Sequence, residues 1–86
     1  MNLYPTPHFK RKLKQRIKTK PSLQLKIKQK LELLIEKSDN PALRLHKLKG
    51  KRINQYSIHI ESNLRITFFK EGKNYILTDL ITHDQY

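Results

Sequence analysis

Apolar side chains recur at two different spacings along this 86-residue chain, and the spacing changes once. Phe9, Leu13 and Ile17 fall every four residues, and Leu23, Ile27, Leu31, Leu34 and Ile35 keep helical intervals up to Lys37. From Tyr56 onward the interval is two, with Tyr56, Ile58 and Ile60 alternating with Ser57, His59 and Glu61. A helix brings every third or fourth residue to one face and a strand every second. The pattern therefore predicts helices first and a sheet afterwards, an α+β chain whose helices cover one face of an antiparallel meander.

Local signals place the breaks. Leu3-Tyr4 is a short apolar start that suits a brief N-terminal strand. Thr6 is a plausible N-cap and Pro7 a first-turn residue, since proline has no N–H to lose there. Thr19-Lys20-Pro21-Ser22 ends the first helix, and Ser38-Asp39-Asn40-Pro41 ends the second with a residue that cannot continue it. Leu23-Gln24-Leu25-Lys26-Ile27 alternates and competes as a strand, but its length and its Lys, Gln and Leu content favour helix. Ser62-Asn63 and Glu71-Gly72-Lys73 are turn candidates that divide three strands, the last running from Tyr75 to Ile81. The basic stretch between Leu43 and Asn54 has no clear period and reads as a loop entering the sheet. With no repeat and no linker, residues 1–86 are expected to form one domain.

Charge narrows the partner. Nineteen Lys and Arg against seven Asp and Glu give +12, while apolar residues are only 36% of the chain. Residues 1–37 carry eleven basic and two acidic side chains, +9, and residues 38–86 eight and five, +3. Ten cations and no acid lie between Lys10 and Lys30. A polyanion is the natural ligand for such a field, nucleic acid before a membrane surface. No apolar run has the ~18–20 residues of a spanning helix, no signal peptide opens the chain, and there is no cysteine. A cytoplasmic protein without a membrane partner is the expectation.

The histidines carry the candidate chemistry: His8, His46, His59 and His83. No two have the local spacing of a zinc motif, so neither metal nor cofactor is expected. An imidazole titrating near pH 6.5 suits proton transfer at neutral pH beside a phosphodiester held by Lys and Arg. Solvated histidines on a polar strand face are the bland alternative.

The order Leu45-His46-Lys47-Leu48-Lys49-Gly50, then Tyr56-Ser57-Ile58-His59-Ile60, Leu64-Arg65-Ile66-Thr67-Phe68, and Leu80-Ile81-Thr82-His83-Asp84 with a terminal tyrosine resembles the RelE/ParE toxin superfamily. Within it the chain is most similar to the YafQ-like and RelE/StbE branch, along essentially its whole length. The resemblance implies a RelE/ParE-like microbial RNase fold and the toxin of a type II toxin–antitoxin system. Such a toxin cleaves mRNA on the ribosome and is blocked by a cognate antitoxin. It also implies roles. His46 matches a candidate general base, His59 an active-site strand histidine, and Ser57 a lysine of RelE. Arg65 matches an arginine on the scissile phosphate, His83 a general acid or transition-state stabiliser, and Tyr86 an aromatic that stacks on a base. Lys47, Lys49, Lys51 and Arg52 are placed to hold mRNA, and Lys10, Lys12, Lys14 and Lys18 to dock on ribosomal phosphates, which position without reading sequence. The chain departs from the branch at Asn63, where an aspartate is usual, at Ile81, where a glycine is usual, and in the shortened interval from His83 to Tyr86.

Two other classes stay open. A non-catalytic ParE-like toxin would poison DNA gyrase without cutting anything, and a basic nucleic-acid-binding protein would have no toxicity. Three histidines and Arg65 in this order favour the endoribonuclease, because an inhibitory surface needs no such set.

Overall fold

A computed structural model describes residues 2–50 and 54–82. Strand β1 (Asn2–Pro5) leads into helices α1 (Pro7–Thr19) and α2 (Leu23–Glu36), a 3₁₀ turn (Pro41–Leu43) and strands β2 (His46–Lys47), β3 (Tyr56–Glu61), β4 (Leu64–Glu71) and β5 (Asn74–Thr82). The strands form one sheet in the order β1-β5-β4-β3-β2. The expected meander β3-β4-β5 is its antiparallel centre.

Thr6 starts α1 as its neighbours dictate. Its backbone is extended, and its side-chain oxygen accepts the Phe9 N–H at 3.2 Å, satisfying a donor that the first helical turn would leave open. The same residue ties the helix to the sheet, because its N–H donates to the Leu77 carbonyl at 3.0 Å. The helical stripe then buries Phe9 fully and Leu13 in part, and α2 buries Leu23, Ile27 and Leu34. Leu25 stays exposed, as one face of a helix requires and an inward-facing strand would not allow. These side chains close over Ile58, Ile60, Leu64, Ile66, Phe68, Tyr75, Leu77 and Leu80 to form the core. Phe68 is its centre, stacked on Tyr56 at 5.8 Å between ring centroids and met edge-on by Tyr75 at 5.2 Å.

The sheet differs from expectation at both edges. β1 pairs in parallel with β5, Leu3 opposite Tyr75, so the sheet is mixed. The segment expected to be a loop contributes strand β2, with His46 opposite Ser57 and Lys47 opposite Tyr56. Two residues are too few to show a period, and their pairing is imposed by the neighbouring strand. Ser62 and Gly72 take the positive φ values, +46° and +61°, that turn the chain between the meander strands. An extra residue in β5 shifts the ladder between Thr67 and Phe68, so that Thr78 bulges and its hydroxyl meets that of Thr67 at 2.8 Å.

Candidate functional site

Strand alternation decides which polar residues share a face. Ile58 and Ile66 are cross-strand partners beneath the helices, so Ser57, His59, Arg65 and Thr67 project from the other side of the sheet. His59 and Arg65 stand directly opposite each other, and His46 stands opposite Ser57. Three of the residues expected from sequence, His46, His59 and Arg65, are thus brought onto one sheet face from three consecutive strands. His83, Tyr86, Lys51 and Arg52 lie outside the described residues.

Backbone carbonyls fix the protons of both imidazoles. His46 Nδ1 lies 3.3 Å from the carbonyl oxygen of Arg44, which can only accept, so Nδ1 carries the proton. With the proton on Nδ1, the lone pair of the imidazole is on Nε2, the nitrogen that faces Ser57 Oγ at 3.5 Å. His59 is held the other way round: its Nε2–H donates to the Ser62 carbonyl at 2.9 Å, leaving the lone pair on Nδ1.

Electrostatics separate the charged groups further. Burial pushes the His59 pKa down, and the Ser62 carbonyl opposes this; the charges of Arg44, Lys30 and Arg65 push it down further. His59 is accordingly neutral at pH 7 and suited to accept a proton rather than supply one. Glu61, two residues along β3, is a carboxylate held below its ordinary range, first by the hydrogen bond from Lys20 and then by the charges of Lys20 and Lys26. Lys30 donates to the Ala42 carbonyl at 2.8 Å and has its pKa lowered by burial, then by Lys26 and Arg44.

The remaining cations divide by position. Lys47 and Lys49 are exposed on and just beyond β2. Lys10, Lys14 and Lys18 are exposed on α1, which packs against β5, three strands away from β2. Lys12 is the exception on that helix, because its ammonium lies 3.9 Å from Asp79, which His8 also meets at 3.1 Å. On the sheet face of the site Ser57 and Thr67 are buried, His59 and Arg65 half-buried and His46 exposed. A separate cleft of about 390 Å³ is lined by Ser38, Asp39, Asn40, Pro41, Arg44, Leu45 and Lys70, and by none of His46, His59 and Arg65. Among the described residues no three His, Asp or Glu side chains gather as metal ligands would.

Neither Lys30 nor Arg44 stands out in the sequence. Lys30 is one of ten cations in a run, and nothing in the sequence shows that Arg44 takes a left-handed backbone conformation, φ +45°.

Comparison with known proteins places the fold. The sequence model of one family, described as the bacterial toxin of type II toxin–antitoxin system, YafQ, matches residues 1–86. No curated protein sequence matches. Among solved structures, YafQ from E. coli superposes with a TM-score of 0.80 at 15% identity, covering 96% of this chain and 93% of that one. A chain of the E. coli DinJ-YafQ complex gives 0.79 at 18% identity, with 96% and 93% covered. A chain of the heterotetrameric YoeB-YefM toxin–antitoxin complex from Staphylococcus aureus gives 0.78 at 17%, with 96% and 97% covered. At such identities the likeness is one of fold.

Proposed function

The chain belongs to the YafQ family of bacterial type II toxin–antitoxin toxins, and from that premise we propose that it is an endoribonuclease that cuts mRNA on the ribosome. The observation that carries the reading is the convergence of His46, His59 and Arg65 on one sheet face, with the lone pair of His46 on Nε2 and with burial, then neighbouring cations, keeping His59 neutral. A neutral imidazole beside fixed cations is what base-promoted cleavage of a ribose phosphodiester requires.

In the proposed reaction His46 Nε2 takes the proton of the 2′-hydroxyl, O2′ bonds to the adjacent phosphorus, and the bond from phosphorus to O5′ breaks. Arg65 stabilises the negative charge that builds on the phosphate oxygens, an effect typically worth ~10²–10³-fold in rate. His59 Nδ1 accepts a hydrogen bond from a ribose hydroxyl. His83 supplies the proton that O5′ needs as it leaves, and Tyr86 stacks on a base beside the cut. The products are a 2′,3′-cyclic phosphate and a 5′-hydroxyl. Lys47, Lys49, Lys51 and Arg52 hold the message, and Lys10, Lys12, Lys14 and Lys18 dock on ribosomal RNA.

The partner that silences such a toxin is a cognate antitoxin, a reading supported by the similar fold of the toxins in the DinJ-YafQ and YoeB-YefM complexes. An acidic segment that folds on binding fits the +12 charge of this chain. The decisive experiment is single-turnover cleavage of mRNA on purified ribosomes, with and without EDTA, followed by analysis of the ends. Cyclic phosphate ends that form in EDTA support the reading. Growth arrest by the toxin with no cut message overturns it in favour of inhibitory binding, as in ParE-like toxins.

A further inference from the structure

Lys30 and Arg44 come from segments that nothing in the sequence connects, and a single hydrogen bond brings them together. The Lys30 ammonium donates to the Ala42 carbonyl at 2.8 Å, inside the 3₁₀ turn that Arg44 caps. Arg44 has a positive φ of +45°, a conformation that an L side chain keeps only where its surroundings hold it. Its carbonyl is the acceptor for His46 Nδ1 at 3.3 Å, so Arg44 is fixed against the candidate base. The charge of Arg44 acts on Lys30, and both charges act on His59.

Among the described residues this pair meets no carboxylate. Among the described residues the helix-borne cations that meet a carboxylate are Lys12, which approaches Asp79, and Lys20 and Lys26, which share Glu61. No described carboxylate lies within ion-pair distance of Lys30 or Arg44. Two like charges held together with no described carboxylate between them raise the local concentration of anions from outside. A guanidinium fork beside an ammonium matches the oxygens of a phosphate diester.

We propose that Lys30 and Arg44 form a phosphate site that holds the mRNA backbone phosphate next to the one being cut. The inference rests on the mRNA-cleavage reading and adds to it two residues that lie outside the acid–base set. Arg65 takes the scissile phosphate. Lys30, on α2, and Arg44, at the end of the 3₁₀ turn, take its neighbour and keep the strand in line for attack.

The test uses ribosomes carrying an mRNA with a 2′-deoxyribose at the scissile position, so that binding is measured without cleavage. Single neutral methylphosphonate linkages replace the phosphates on either side of the cut, one at a time. At one of these positions the neutral linkage should weaken wild-type binding ~10-fold or more, the scale of a hydrogen bond to a charged group. In Lys30→Gln and Arg44→Gln the same linkage should cost less than ~3-fold, because its partner is already gone. Arg44→Gly suits φ +45° better than glutamine and must behave as Arg44→Gln does, which separates loss of the guanidinium from backbone strain. Lys73→Gln, in the β4–β5 turn, should remain as sensitive as wild type. Equal sensitivity in wild type and all three site variants overturns the proposal. Wild-type cleavage of the all-ribose message, run in parallel, tests the catalytic reading by itself: coupling without cleavage leaves the phosphate site standing and removes the nuclease.

Discussion

His59 and Arg65 face each other across the β3–β4 ladder, and the imidazole of the pair is kept neutral by its partial burial and by three cations, Arg44, Lys30 and Arg65. The arrangement costs stability in acid and keeps a base in its working form near neutral pH.

Stability should therefore fall as the pH drops below the ordinary histidine value of 6.5. The folded-state pKa of His59 lies below that value, so the unfolded chain binds the proton first, and its gain grows until the folded form is protonated as well. His59→Gln should flatten this part of the profile, read as urea midpoints between pH 7.5 and pH 5. Glu61 acts in a separate, more acidic window: its lowered pKa adds stability above 4.5 that is lost as the pH falls further. An unchanged profile in His59→Gln would remove the electrostatic account of this residue.

Substitution at the site should slow chemistry more than binding. His46→Ala and Arg65→Ala are each expected to reduce single-turnover cleavage ~10²–10⁴-fold, with ribosome affinity nearly unchanged. His59→Ala should be comparable, and His83→Ala should show the drop in rate expected of a general acid. Ser57→Ala removes only a hydroxyl 3.5 Å from His46 Nε2 and should cost less than any of them. Quench-flow cleavage beside filter binding separates the two quantities.

Replacing Lys10, Lys12, Lys14 and Lys18 together with glutamine should weaken ribosome binding and reduce its salt slope by ~0.7–0.9 for each ribosomal phosphate left without its lysine. The cleavage rate of the pre-bound complex should stay near wild type, because α1 packs against β5, far from β2. Within the set, Lys12→Gln alone should change the slope least, since its charge is already shared with Asp79. Equal reductions in binding and rate would place α1 in the active site.

Thr6→Ala should destabilise the fold by about 0.5–2 kcal/mol in urea titrations, the range for removal of an N-cap. Thr6 also meets the Thr78 carbonyl through its side chain at 3.4 Å, so the helix and the bulged part of β5 should loosen together. Hydrogen exchange confined to α1 would show that the two are independent.

The antitoxin complex should survive a rise in salt from about 0.1 to 0.5 M better than ribosome binding does, because apolar anchors are not screened and charge pairing with phosphate is. Ready dissociation at the higher salt, followed by size-exclusion chromatography, would count against a wrapped, folding segment.

Local chemistry wrote much of this fold into the chain. The four-residue stripe of Phe9, Leu13 and Ile17, the Thr6 cap and the Pro41 stop define the helices, and alternation from Tyr56 onward defines the meander, because burying one face demands a period that sequence displays directly. The order of His46, His59 and Arg65 was equally legible. Tertiary structure decided what depends on partners distant in sequence. Strand β2 exists because Ser57 and Tyr56 pair with it, and β1 joins β5 in parallel across some seventy residues of chain. Which nitrogen of His46 holds a proton follows from the turn of the backbone at Arg44, and the neutrality of His59 follows from burial and from cations on α2, the 3₁₀ turn and β4. Periodicity is a property of neighbours along the chain, whereas charge and proton position depend on distance through space, which only folding sets.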